Sequence, residues 1–172
     1  PDVTFTVDRL GRQLTAESAV SEHTFANSGL LLDTETIIAG GSTNVIDRSY
    51  DGYGRATGFT LGGGYSVSYG YDSLGRMSMV SNYVLSAFSA VNYSYLPSSD
   101  LLSGYTESGS GLTVSRSYEA HRNLLTQIKN AVDTTTISQY DYVNDNGDRR
   151  TSVKHSGTAF DAGAAFNQYG YN

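Results

Sequence analysis

The chain has 172 residues, a formal net charge of −6, 14 tyrosines, 19 glycines, two prolines and no cysteine. The lack of cysteine excludes disulfides, zinc–thiolate centres and thiol catalysis, and the acidic balance argues against nucleic acid as a partner. With 16% charged and 12% aromatic residues the composition is not that of a disordered chain, and no apolar run is long enough to insert in a membrane.

In chain order, Val3-Thr4-Phe5-Thr6-Val7 alternates with period two and reads as a strand. Asp8-Arg9-Leu10-Gly11-Arg12 then reads as a tight turn. Gly29 follows, preceded by Phe25 and followed by three leucines. Gly40-Gly41 marks a loop. The clearest stretch comes next: Tyr50-Asp51-Gly52-Tyr53-Gly54-Arg55 returns 21 residues later as Tyr71-Asp72-Ser73-Leu74-Gly75-Arg76. Gly62 to Gly64 lies between the two copies. Worn copies follow around Asp100, Asn123 and Asn144-Gly147, each preceded by tyrosine. Leu112 to Leu125 has a few helical spacings, but its serine, threonine, valine and tyrosine favour strand. Gly157 to Gln168, with Ala159, Ala162, Ala164 and Ala165, carries no repeat signal. Tyr169-Gly170-Tyr171-Asn172 echoes Tyr69-Gly70-Tyr71-Asp72, so both ends read as cut.

The phrase has a mechanical meaning. Aspartate at the first position of a type I turn can bond the backbone two residues on. Glycine three residues later accepts the left-handed conformation that closes such a turn. Aligned on the closing residue, the candidates are Gly11, Gly29, Gly54, Gly75, Asp100, Asn123 and Gly147, spaced 18 to 25 residues apart. All are residue types that tolerate a positive φ. The interval holds two strands and a return loop. The expected fold is therefore all-β: consecutive antiparallel hairpins, roughly fourteen strands in about seven repeats, running through residues 1–172 as one segment. A sheet wetted on both faces suits tyrosine, serine and threonine better than valine, isoleucine and leucine.

These Y-D-x-x-G-R hairpins resemble the YD repeats of RHS-repeat proteins, which include bacterial polymorphic toxins, toxin-complex subunits and teneurins. The match is strong at Tyr50 to Arg55 and Tyr71 to Arg76, good at Asp8, Gly11 and Arg12, fair at Asn144 and Gly147, and degenerate near Gly29, Asp100 and Asn123. The resemblance implies a long, twisted, curved strip of sheet, part of a hollow shell that encloses a C-terminal polypeptide, often a toxin. It implies a secreted or cell-surface location, with the remaining repeats of the parent and the enclosed polypeptide as partners.

No catalytic motif is present. His23, His121 and His155 stand far apart in no ligand spacing. The acidic turn Asn144 to Asp148 fails as a calcium loop, because Tyr142 and Val153 would occupy its first and last ligand positions. The aspartate self-cleavage of some family members, near a D-P dipeptide, has no counterpart here, since the only prolines are Pro1 and Pro97 and Leu96 precedes Pro97. The expectation is a structural, non-catalytic segment without cofactor or metal. Two alternatives stand beside it. One is a carbohydrate-binding module using exposed tyrosines. The other is a glycosidase using Asp47 with Asp51, or Asp141 with Asp145. Terminal strands at Val3 to Val7 and Phe166 to Tyr171 would leave unpaired edges, through which the chain is expected to self-associate.

Overall fold

Period-two alternation becomes strand in the computed structural model, which describes residues 2–160 and 166–171. The strands are β1 (Thr4–Val7), β2 (Gln13–Glu17), β3 (Ser21–Ser28), β4 (Leu31–Ala39), β5 (Ser42–Tyr50), β6 (Ala56–Leu61), β7 (Tyr65–Tyr71) and β8 (Met77–Val84). They continue as β9 (Ala87–Tyr95), β10 (Leu102–Glu107), β11 (Leu112–Tyr118), β12 (Leu125–Val132), β13 (Thr135–Asn144), β14 (Arg150–Ser156) and β15 (Phe166–Gln168). One 3₁₀ turn, Thr158–Phe160, interrupts the last connection. No α-helix occurs among the described residues. The stretch Leu112 to Leu125 is strand β11 and the start of β12, as its composition requires. Of the region without repeat signal, residues 161–165 lie outside the described residues.

All 15 strands form one sheet in sequence order, β1 through β15, with the order left open at its ends. The backbone groups into two compact units. One holds the described residues up to Gly70 with Val80–Phe88; the other holds Tyr71–Met79 and the described residues from Ser89 onward. Pairing within each unit is antiparallel throughout.

Register sorts the side chains into two unlike faces. In the first unit Thr6, Thr15, Thr24 and Thr36 form one row across β1 to β4. Thr34, Asp47, Thr60 and Ser66 continue that face across β4 to β7. The opposite face carries the rows Phe5, Ala16, His23, Ile37 and Phe25, Glu35, Ile46, Leu61, Tyr65. The second unit repeats the division. Ser94, Gly104, Ser115, Lys129 and Gln139 share one face; Arg116, Ile128, Tyr140 and His155 share the other.

Neither face closes over a dry core. Among the described residues the buried apolar ones are Ala90, Val114 and Val153, and no large side chain is fully enclosed. Stability must come from cross-strand pairs and the backbone ladder instead. Tyr93 and Tyr105 are direct partners with ring centroids 6.1 Å apart. Tyr140 meets its partner His155 edge-on at 5.1 Å, and Phe160 caps both rings.

One device recurs that the alternation does not announce. After a turn, the outgoing strand carries one extra residue relative to its partner: Leu14, Asp33, Thr57, Ser103, Thr126 and Thr151. Each is a β-bulge, which interrupts the ladder locally and increases twist. At two of these bulges the next residue is a buried glycine, Gly58 or Gly104. A Cβ on Gly58 would stand 2.2 Å from the Val67 carbonyl oxygen, and one on Gly104 would stand 2.2 Å from that of Val114. Only hydrogen fits between those strands.

Candidate functional site

The polar chemistry of the chain gathers at the turns. In Asp8 to Arg12 the backbone closes through Asp8 N–H to the Arg12 carbonyl at 2.9 Å, and Gly11 N–H to the Asp8 carbonyl at 3.1 Å. One carboxylate oxygen of Asp8 accepts the N–H groups of Leu10 and Arg12; the other accepts Arg12 Nε at 2.7 Å. Asp51 to Arg55 and Asp72 to Arg76 repeat every one of these bonds. Gly11, Gly54 and Gly75 hold φ between +79 and +82°. The aspartate thus serves as both turn former and counter-ion. Partial burial raises each carboxyl pKa, but the arginine and backbone N–H bonds outweigh it, and Asp8, Asp51 and Asp72 fall below the ordinary range.

The worn copies differ in instructive ways. Gly29, with φ +60°, opens a two-residue loop between the partners Ser28 and Leu31, where a II′ turn takes glycine. Asn123 holds φ +56°, and Glu119 stands in for aspartate, taking Arg122 Nε at 2.8 Å. Two expected positions are corrected. The left-handed residue is Asp148, with φ +63°, rather than Gly147, and the turn-forming acid is Asp145 rather than Asn144. Asp100 does not close its turn either. Pro97 and Ser98 form a type II turn, with Ser98 at φ +56° and Ser99 N–H bonded to the Leu96 carbonyl.

Within each unit, turns are also tied to their neighbours. Arginine reaches forward: Nη1 of Arg12, Arg76 and Arg122 donates to the carbonyls of Gly29, Ser99 and Asp145. Arg122 adds an ion pair to Asp148 at 3.0 Å. Tyrosine reaches back. The hydroxyls of Tyr50, Tyr95, Tyr118 and Tyr171 donate to the carbonyls of Leu32, Met77, Leu102 and Arg150 at 2.7 to 2.9 Å. Leu32, Leu102 and Arg150 each lie just before a bulged residue, where the ladder is interrupted. The tyrosine before the aspartate is thus explained by the bulge one repeat earlier. Arg76 closes the arrangement by lying 4.2 Å above the Tyr95 ring.

These side chains are engaged in holding the turns and strands together. Asp51 and Asp145, members of the two carboxylate pairs considered for glycoside chemistry, are bound within their own turns. Asp141 accepts the amides of Gln127 and Gln139, and Asp47 accepts the Thr34 hydroxyl. His23 stacks on Phe25 and lies 3.7 Å from Glu35. Among the described residues no group of three or more acids and histidines is placed to hold a metal.

Residues 50–82, the region of the two clear copies, match the family model of the RHS repeat. That stretch is similar to an RHS repeat. Among solved structures the chain is similar, over 96% of its length, to 10% of a chain in the crystal structure of TcdB2-TccC3-Cdc42, with TM-score 0.72 and 14% identity. The crystal structure of TcdB2-TccC3-TEV matches over 91% of the chain and 9% of its own, with TM-score 0.69 and 15% identity. At that identity the likeness is one of fold. The chain spans about a tenth of the length of the chains it matches. No curated protein matches its sequence.

Proposed function

We propose that this RHS-repeat segment is a length of wall in a secreted or cell-surface protein that encloses or presents another polypeptide, without catalysis of its own. The supporting observation is the side-chain traffic between turns. Arginine forward and tyrosine backward both serve continuity from repeat to repeat. The turn aspartates and arginines are engaged in that work. Proteinase K digestion of the parent protein tests the reading. The enclosed polypeptide should survive in the intact protein. It should be cut once residues 51–71, one whole repeat, are deleted. Equal protection with and without the deletion refutes the wall assignment.

The carbohydrate-binding alternative draws on Tyr53, 88% exposed at the tip of its turn. A glycan array probed with the chain and with Tyr53→Ala separates the two readings.

A further inference from the structure

Six of the nine arginines in the chain have a carboxylate partner: Arg12, Arg48, Arg55, Arg76, Arg122 and Arg149. Arg116 and Arg150 have none among the described residues. Both are half-buried on the aromatic face of the second unit. Arg116 shares a row with Ile128, Tyr140 and His155. Arg150 lies 3.7 Å over the Tyr142 ring. The Nε of each is buried and bonded to nothing. The acids nearest in sequence are already engaged: near Arg116, Glu107 by Ser89, Gly109 and Ser110 and Glu119 by Arg122 and Asn144; near Arg150, Asp145 by Arg149 and Asp148 by Arg122. A guanidinium partly stripped of water and lacking an acceptor is costly alone and binds an arriving carboxylate strongly.

We propose that the aromatic face of β11 to β14 takes an extended polypeptide segment that is apolar but carries carboxylates placed for Arg116 and Arg150. This rests on the wall reading and names the chemistry of what the wall faces. The two arginines are three strands and five residues apart, about 20 Å at ordinary strand spacing and rise. An extended peptide covers that distance in about six residues. Six is even, so both carboxylates lie on one side of the peptide with the apolar side chains between them.

Fluorescence anisotropy with the 172-residue chain tests this. The probe is a labelled ten-residue peptide of valine, threonine and tyrosine with two glutamates six positions apart. Its twin carries glutamine at both. The glutamate peptide should bind at least tenfold more tightly than the twin. Arg116→Gln and Arg150→Gln should each reduce that preference, while Lys129→Gln on the hydroxyl face leaves it unchanged. Equal affinity for the two peptides overturns the proposal, and because it is measured on the unaltered chain it holds even if the variants misfold. Preference for polygalacturonate over the glutamate peptide, or an effect of Lys129→Gln as large as that of Arg116→Gln, overturns it too. In each of these cases protease protection in the parent protein still decides the wall reading separately.

Discussion

The side-chain amide of Asn144 donates to the Leu125 carbonyl at 3.3 Å, in the place that Tyr118 fills toward Leu102 one repeat earlier. The position before the turn acid is therefore defined by its task, which is to supply a donor to the carbonyl beside the preceding bulge. Tyrosine performs it with a ring to spare for packing; asparagine performs it alone and adds a 3.1 Å bond to Glu119. Tyr118→Phe should cost about 0.5–1.5 kcal/mol, the usual worth of one hydrogen bond. Tyr83→Phe, whose ring is exposed, should be silent. Urea unfolding of the three proteins measures both, and equal effects would remove the clamp from the account.

The two glycines of one turn separate conformation from space. Gly54 holds φ +79° and Gly52 does not have a positive φ; a Cβ on Gly52 meets nothing within 4 Å, and one on Gly54 meets only Leu31, at 3.9 Å. Gly54→Ala should cost about 1–2 kcal/mol through left-handed strain. Gly52→Ala should be neutral, or stabilise by up to about 1 kcal/mol by narrowing the unfolded ensemble. Thermal melts showing the same loss for both would contradict the turn geometry.

Gly58 and Gly104 answer to a different constraint. There the added methyl strikes backbone of the neighbouring strand, which cannot swing aside as a side chain can. Gly104→Ala should cost about 3 kcal/mol or more, as severe overpacking does. A variant that melts within a few degrees of the parent would show that β10 and β11 lie farther apart than described.

Acid should loosen the chain. Glu107 is lowered to about 2 by the hydroxyls of Ser110 and Ser89 and the N–H groups of Gly109 and Ser110. Its folded pKa lies below its unfolded one, so its contribution is complete above about 4.5 and disappears as pH falls toward about 2. Asp8, Asp51, Asp72, Asp145 and Glu119 are lowered too and act in the same direction. Glu107→Gln should lower the melting temperature at pH 7. The gap to the parent should narrow steadily below pH 4.5. A gap that stays constant down to pH 2.5 would assign Glu107 no electrostatic role.

The β1 edge makes a prediction about association. Val3, Phe5 and Val7 are 46, 62 and 59% exposed, and β1 pairs on one side only. Light scattering should show a mass that rises with concentration. Phe5→Lys, a charge on an edge strand, should suppress it. A monomer of constant mass for both proteins would mean that the edge recruits nothing.

Much of this architecture was legible in the residues. Asp8, Asp51 and Asp72 announce their turns because aspartate and glycine each have a distinct backbone role there. The misplacements have physical causes. Gly147 attracts a positive φ in any alignment, yet aspartate tolerates that region, and Asp148 takes it. Pro97 fixes its own φ and passes the left-handed conformation to Ser98, two residues ahead of the Asp100 that the alignment favoured. The bulges were invisible because an extra residue only becomes one when the partner strand is known. The arginine and tyrosine reaches span 16 to 23 residues, beyond any local pattern, although the recurrence of an aromatic before each turn was their trace.

The sewing runs along one side of the sheet. On the other, the Gly40–Gly41 connection is a two-residue loop with both glycines at positive φ, and a side chain at either would meet nothing. Length is therefore free to vary at that loop and fixed at the seam. A foreign epitope spliced between Gly40 and Gly41 would be carried as a tassel, with the weave beneath it undisturbed. The same splice between Asp72 and Gly75 would cut the thread that holds one row to the next.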